Sequence, residues 1–124
     1  MAIVDVQQLK LIVLTEFADI VQHAFSPGDN DFRIVLTDNS YIKIWFSLKV
    51  ANRYSYHWER RMVNNTIYRH DNAPDIDWKH VSTYPKHFHN GTQENVIESN
   101  ISEDPVEAVR EFLSFARTVL KPDD

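Results

Sequence analysis

Alternation of hydrophobic and polar positions in the middle of the chain predicts an antiparallel sheet. Within residues 32–37 and 41–48, every second side chain is large and apolar: Phe32, Ile34, Leu36, Ile42, Ile44, Phe46 and Leu48. Successive side chains of a strand point to opposite faces, so each run predicts a strand with one buried face. Asp38, Asn39 and Ser40 separate the two runs. They favour a short turn, which makes the pair a β-hairpin.

A third strand is predicted at residues 53–60, where aromatic and polar side chains alternate. Tyr54, Tyr56 and Trp58 fall on one face, and the other face carries Arg53, Ser55, His57 and Glu59. Asn64 and Asn65 predict a turn, because asparagine tolerates left-handed backbone conformations. A fourth strand follows at 66–70. Residues 71–84 are irregular, and short extended pieces are expected at 85–89 and 94–98.

Periodic apolar positions predict a helix near each end of the chain. Residues 5–25 carry apolar side chains at helical spacing and run into the breaker cluster 26–30. The second helix has a capping box, with Asp104 at the N-cap, Pro105 at the first helical position and Glu107 three residues after the cap. Its apolar stripe is Val106, Val109, Phe112, Leu113, Ala116 and Leu120, and Lys121-Pro122 ends it.

This order of elements predicts a single α+β domain over residues 1–124. We expect an antiparallel sheet of about four to six strands, with an N-terminal and a C-terminal helix packed on one face. A sheet of this kind leaves its second face accessible. With Ile42, Ile44 and Tyr68 turned inward, that face would carry Lys43, Trp45, Arg53, Ser55, His57, Arg69 and Asp71.

Composition excludes several functional classes. The chain has no cysteine, so it has neither disulfides nor a thiol nucleophile. Its two glycines, Gly28 and Gly91, exclude a glycine-rich phosphate loop, and Ser55, Ser82 and Thr83 lack the glycines of a nucleophile elbow. No apolar run approaches the roughly 18 residues of a membrane span, and no secretory signal is present. We therefore expect a cytoplasmic protein without a membrane partner.

Charge is distributed unevenly along the chain, although the net charge is −5. Residues 41–70 hold six basic residues and one acidic residue, whereas acidic residues outnumber basic ones on both sides. A basic centre is typical of an anion-binding surface, and it is also compatible with an ordinary solvated sheet face. The negative net charge argues against a broad, non-specific duplex binder.

Histidines are concentrated in the same region, where they could supply acid–base chemistry. Five of the six lie between residues 57 and 89: His57, His70, His80, His87 and His89. In an extended segment, His87 and His89 would point to one side with Cα atoms about 6–7 Å apart. Two such rings suit one substrate or one metal ion, with His57 or Asp71 as a third ligand, but an isolated pair is also common on loops.

Four segments of the chain together resemble the TumE-like family of toxins. They are Tyr-Ser-Tyr-His-Trp at 54–58, Arg-His-Asp-Asn-Ala-Pro at 69–74, Tyr-Pro-Lys-His-Phe-His at 84–89 and Val-Ile-Glu-Ser at 96–99. The resemblance spans about residues 30–120. The chain departs from the family pattern at Asp75-Ile76 and at Lys86, where the family often has histidines. The positions that carry over are His57, Arg69, Asp71, His87 and His89.

This resemblance implies a small toxin paired with a helix-turn-helix antitoxin, and a ribonuclease is the usual expectation for such a protein. We predict a metal-independent mechanism without a cofactor. His57 or His87 would deprotonate the RNA 2′-hydroxyl, and another histidine such as His89 would protonate the leaving oxygen. Arg69 would stabilise the charged phosphorus, and Asp71 would hold a histidine tautomer.

Substrate contacts are predicted for Lys43, Trp45, Arg53 and Lys86, with Trp45 stacking on a base. Two alternatives stay open. The accessible face could bind nucleic acid or protein without catalysis, or His87 and His89 could hold the metal of a hydrolase or nuclease. A homodimer is a further expectation for such toxins.

Overall fold

The computed structural model describes residues 4–121 and contains one seven-stranded sheet. The elements in chain order are α1 (Val6–Glu16), β1 (Val21–Phe25), β2 (Asp31–Leu36), β3 (Tyr41–Phe46), β4 (Tyr54–Arg60), α2 (Arg61–Asn64), β5 (Thr66–Asp71), a 3-10 turn (Ile76–Trp78), β6 (His87–Gly91), β7 (Val96–Glu98) and α3 (Pro105–Leu120). Each strand pairs antiparallel with the next. The predicted α+β class is confirmed, with seven strands instead of four to six.

Both long helices pack on the same face of the sheet, as predicted. The central strands alternate between buried and partly exposed residues, and Ile42, Ile44 and Trp58 are fully enclosed. They share one core with the apolar residues of α1 and α3. On α3, the rings of Phe112 and Phe115 contact those of Tyr56 and Trp58. The opposite face of the sheet, called here the open face, therefore carries the polar side chains.

The predicted first helix is too long, because α1 ends at Glu16 and residues 21–25 form β1. A β-bulge explains the error. The register of β1 against β2 shifts between Val21 and His23, so that Val21 and Ala24 are buried while the residues between them are exposed. A bulge inserts one residue and changes the alternation of faces. The resulting spacing of three resembles a helical period.

The predicted turns occur where asparagine adopts a left-handed backbone. Asn39 has φ of 69° between β2 and β3, and Asn65 has φ of 63° after α2. Asparagine is one of the few residues other than glycine that adopt this conformation readily. These turns allow a chain with only two glycines to make tight reversals.

The predicted cap of α3 is also observed, since the Asp104 carboxylate accepts a hydrogen bond from the Glu107 backbone N–H. The helix ends at Leu120, and the predicted stop at Pro122 lies outside the described residues. Within residues 4–121, no helix is long and apolar enough to cross a lipid bilayer.

A connecting segment covers one end of the open face. The 3-10 turn between β5 and β6 places Trp78 against the rings of His87 and His89. Three successive residues of β6, from His87 to His89, are buried, two of them under this turn and one against the helices. Phe88 points to the helices, where its ring lies against those of Tyr68 and Phe115, and the two histidines point to the covering turn.

Candidate active site

Strand pairing brings the predicted site residues into two neighbouring rows on the open face. The register aligns four strands, β3 to β6. One row consists of Lys43, His57, Arg69 and His89, and the next consists of Trp45, Ser55, Asp71 and His87. Residues directly opposite each other in a sheet are close enough for their side chains to interact. Positions far apart in sequence therefore become one surface.

Arg69 lies at the centre of this surface and connects its neighbours. Its Nε donates to the Asp71 carboxylate at 3.1 Å. Its two terminal nitrogens lie 3.4 Å from His57 Nδ1 and 3.2 Å from His89 Nε2. It also donates to the Gln93 side chain at 2.8 Å. We call His57, Arg69, Asp71, His87 and His89 the Arg69 cluster. It contains all five residues that we predicted to be catalytic.

His57 is held between a carboxylate and a guanidinium. Its Nε2 lies 3.2 Å from a Glu59 oxygen, which can only accept a hydrogen bond, and its Nδ1 faces Arg69, which can only donate one. This pattern fits a neutral ring with its proton on Nε2 and a lone pair on Nδ1. Burial lowers the pKa of His57 and the charge of Arg69 lowers it further, while the hydrogen bond to Glu59 opposes both effects.

His87 and His89 are oriented by backbone carbonyls. Nδ1 of His87 donates to the Pro85 carbonyl at 2.8 Å, and Nδ1 of His89 donates to the Gln93 carbonyl at 2.9 Å. These bonds fix the orientation of each ring, so that Nε2 on its opposite edge is turned toward Asp71. They lie 3.1 Å (His87) and 3.8 Å (His89) from its oxygens.

The two rings differ in what their Nε2 atoms meet. His89 Nε2 accepts from Arg69, which fits a neutral ring, and burial lowers the pKa of His89. His87 Nε2 faces a carboxylate oxygen although its Nδ1 proton is already used. A neutral imidazole has only one N–H. The His87–Asp71 contact therefore lacks a donor unless a further proton or a cation lies between the two groups.

The solvent exposure of the side chains decreases from one side of the Arg69 cluster to the other. The side chains of Arg69 and His57 are 21% and 17% exposed, whereas His87 and His89 are 2% and 1% exposed. Trp78 causes this difference, because its ring lies 6.3 Å from that of His87 and 5.7 Å from that of His89. A ligand on the open face meets His57 and Arg69 first.

The four predicted substrate-binding residues are divided by the fold. Lys43 and Trp45 lie on the open face beside His57 and Ser55. Arg53 lines a cavity of about 540 Å³ between the beginnings of α1 and α3, on the helix side. Lys86 hydrogen-bonds the Ile101 carbonyl and pairs with Glu103 at 3.2 Å. The structure therefore brings Lys43 and Trp45 to the cluster, and it does not bring Arg53 or Lys86 there.

The other histidines of the central region do not join the cluster. His70 points to the helices, where its ring stacks on Phe88 at 4.1 Å, and burial lowers its pKa to about 4. His80 is exposed on the covering segment.

Three partners of the cluster were not predicted from the sequence: Glu59, Gln93 and the covering Trp78. The sequence could have indicated Glu59, because it lies two residues after His57 and therefore on the same face of the predicted strand. No sequence pattern indicated Gln93 or Trp78, since both lie on connections whose path the tertiary structure determines.

Comparison with known families adds an identification to this geometry. A sequence profile described as Toxin TumE matches residues 6–120. The chain belongs to the TumE toxin family. This confirms the resemblance drawn from the four segments, and it makes the chain a toxin component whose family implies an antitoxin partner. Neither the curated proteins nor the solved structures that were searched contain a match.

The region matched to the TumE family contains every predicted site residue. The Arg69 cluster is therefore part of the family domain and not of an added segment. Its chemistry combines a guanidinium, a carboxylate and three imidazoles, which are groups that can bind phosphate and move protons.

Proposed function

We propose that this TumE-family chain is a toxin that cleaves RNA as a metal-independent endoribonuclease, by histidine acid–base chemistry on the open face. The Arg69 cluster is the observation that carries the proposal, because it combines a partly exposed guanidinium with three imidazoles. In this reaction the 2′-hydroxyl of RNA attacks the adjacent phosphorus, and the 5′-oxygen leaves.

His57 is the general base in this mechanism. Glu59 holds the proton on Nε2, so the lone pair on Nδ1 can accept the proton of the 2′-hydroxyl. The Nδ1–Arg69 contact is long at 3.4 Å, which makes it the contact that a substrate hydroxyl can replace at least cost. Burial lowers the pKa of His57, which keeps the ring neutral and able to accept a proton at pH 7.

Arg69 stabilises the charge that develops on phosphorus. A guanidinium binds phosphate oxygens with two parallel hydrogen bonds, and it keeps its charge at every physiological pH. Asp71 and Gln93 hold Arg69 at the centre of the surface. Lys43 and Trp45 extend the same face, where they would contact a neighbouring phosphate and stack on a base.

The proton for the leaving oxygen comes from His87 or His89. The contacts of His87 favour it as the acid, because both of its nitrogens face oxygen acceptors. His89 then positions Arg69 through Nε2. Both rings lie under Trp78, so we propose that RNA binding displaces the 3-10 turn.

Cleavage of labelled single-stranded RNA tests this mechanism. The comparison is between the wild-type chain and His57→Ala/His87→Ala, each with and without EDTA. We expect wild-type cleavage to persist in EDTA and to fall at least about 10⁴-fold in the double variant, since each proton transfer contributes about 10²–10⁴-fold. The matched control is His23→Ala/His80→Ala, which removes two exposed histidines outside the cluster.

Absence of cleavage on a panel of RNAs that the wild-type chain binds would contradict the enzyme and favour a non-catalytic RNA-binding module. Persistent cleavage by the double variant would contradict the roles assigned to His57 and His87, but not the proposed ribonuclease activity.

The partners that we propose are RNA and a helix-turn-helix antitoxin, with a homodimer as the assembly to be tested. Support for the antitoxin comes from membership of a toxin family. Co-expression of the chain with the gene beside its own, followed by sizing of the purified complex, tests both assemblies. Rescue of growth without a stable complex would contradict a protein antitoxin that binds directly.

A further inference from the structure

We propose that Asp71, His87 and His89 form a binding site for one divalent transition-metal ion, with zinc as the preferred ion. The proposal goes beyond the metal-independent toxin reaction, and metal binding does not depend on that reaction. Each of the three residues offers one ligand atom, and these atoms all lie within 4.8 Å of one another. Two of the residues lie two positions apart on β6, and the third lies opposite His87 on β5.

The orientation of both histidines is that of metal ligands. A histidine that binds a metal through Nε2 almost always donates its Nδ1–H to a carboxylate, a backbone carbonyl or water. Here the carbonyls of Pro85 and Gln93 accept these protons at 2.8 and 2.9 Å. Both Nε2 atoms are thereby turned to the side of Asp71, where Nε2 of His87 faces a carboxylate oxygen and Nε2 of His89 accepts from Arg69.

A cation also resolves the hydrogen-bond conflict between His87 and Asp71. His87 Nε2 and Asp71 Oδ1 are 3.1 Å apart, and both are acceptors when His87 is neutral. An ion between them replaces the missing proton. Exchange of a proton for a metal at such a position is the usual reason why metal binding depends on pH.

The chemistry of the ligands selects the class of ion. Two imidazoles and one carboxylate suit zinc and similar divalent transition metals, while calcium and magnesium prefer ligand sets made of oxygen. With three protein ligands, a fourth position is left for water.

Arg69 competes with the ion for one of these ligand atoms, because its guanidinium contacts His89 Nε2 at 3.2 Å. It also contacts Asp71 Oδ2 at 3.1 Å, the carboxylate oxygen next to the one that faces His87. Metal binding must displace the contact with His89, while those of Arg69 to Asp71, Gln93 and His57 can persist. Removal of this positive charge should therefore strengthen metal binding.

One consequence rests on the proposed function. The ion uses Nε2 of His87, the favoured proton donor of the acid–base route, and Nε2 of His89, which positions Arg69 in that route. Zinc and the metal-independent reaction therefore exclude each other, and zinc should inhibit RNA cleavage.

Titration of the tag-free, EDTA-stripped chain with cobalt(II) and zinc(II) tests the site without reference to activity. We expect calorimetry to give one ion per chain. Bound cobalt(II) should also absorb visible light, because its coordination by the protein has low symmetry. Both signals should be lost in Asp71→Asn and in His87→Gln/His89→Gln, and they should be retained in His23→Ala/His80→Ala. Arg69→Gln should bind at least about 10-fold more tightly. Circular dichroism spectra and thermal melts of each variant establish that it is folded.

The outcomes separate this inference from the proposed function. No binding by the wild-type chain, or undiminished binding by both folded ligand variants, would overturn the metal site, whatever the RNA assay gives. Binding with zinc inhibition supports both proposals. Binding with cleavage that requires zinc upholds the site and overturns the metal-independent mechanism.

Discussion

The environment of His57 determines how its ionisation affects the folded protein. The charged groups that face it are Glu59 on its own strand, Arg61 just beyond that strand, Arg69 on β5 and Lys43 on β3. Burial has the largest effect and lowers the pKa below the ordinary value for histidine. The folded state therefore binds this proton more weakly than the unfolded chain does.

The sign of the resulting pH dependence follows directly. With a lower pKa in the folded state, protonation favours unfolding, so the free energy of unfolding falls as pH drops through the ordinary histidine value of about 6.5. We expect His57→Gln to reduce this loss between pH 7.5 and 5.5, as measured by urea unfolding at both pH values. His80→Gln is the exposed control. An NMR titration that places the pKa of His57 above 6.5 would contradict the argument.

At the scale of elements, the covering segment determines which part of the Arg69 cluster solvent reaches. Five of the six connections between successive strands are short, but β5 and β6 are separated by the longer segment that contains the 3-10 turn with Trp78. The turn adds a second layer on a face that would otherwise be open. His87 and His89 are buried by this layer and not by the main core.

Removal of the Trp78 ring should expose the two buried histidines without disrupting the sheet. In Trp78→Ala we expect faster modification of His87 and His89 by diethyl pyrocarbonate, because the ring that shields them is absent. The measurement is peptide mass spectrometry over a time course. Trp45→Ala is the matched control, since Trp45 lies on the same face but opposite Ser55. Equal modification rates in all three proteins would show that the turn does not limit access.

The main difference between predicted and observed elements has one cause. Strands β2 to β4 follow regular alternation, and their pattern could be interpreted directly. The bulge in β1 produced an apolar spacing of three and the incorrect extension of the first helix. Apolar periodicity reflects which residues are buried. It therefore predicts the wrong element where an irregular backbone changes which residues are buried.

Across the whole molecule, arginines of α3 connect the two ends of the chain. Arg117 bonds both oxygens of Asp19 at 2.8 and 3.0 Å and lies 4.6 Å above the ring of Phe17. Arg110 pairs with Glu16 at 2.8 Å. The hydrogen bond from Arg117 is the largest influence on Asp19, whose pKa is lowered to about 2.

Removal of the Arg117–Asp19 contact should lower the stability of the fold above pH 4, and this effect should disappear in acid. A carboxyl with a lowered folded-state pKa stabilises the fold above its unfolded pKa of about 4, and the contribution is lost as pH falls toward 2. We expect Arg117→Met to melt at a lower temperature than the wild-type chain at pH 6, and by a smaller margin at pH 3. Lys79→Met is the control of equal charge change. An unchanged margin at pH 3 would exclude the Asp19 pair as the cause.

Local pattern determined the class of fold, the central strands and the last helix, and the family resemblance supplied the residues of the Arg69 cluster. Alternation and capping are properties of neighbouring residues, so they are visible in the chain itself. The toxin family was visible as well, because its segments are short and contiguous.

Only the tertiary structure decided how the site is assembled. Strand register placed Arg69 between His57 and His89. Lys86 pairs with Glu103, and Arg53 lines the cavity on the helix side, so neither reaches the cluster. The path of two connections brought Trp78 and Gln93 to the histidines. These contacts join residues far apart in sequence, and a shift of one residue in any strand would have reversed its faces. Their geometry therefore depends on the packing of the complete sheet.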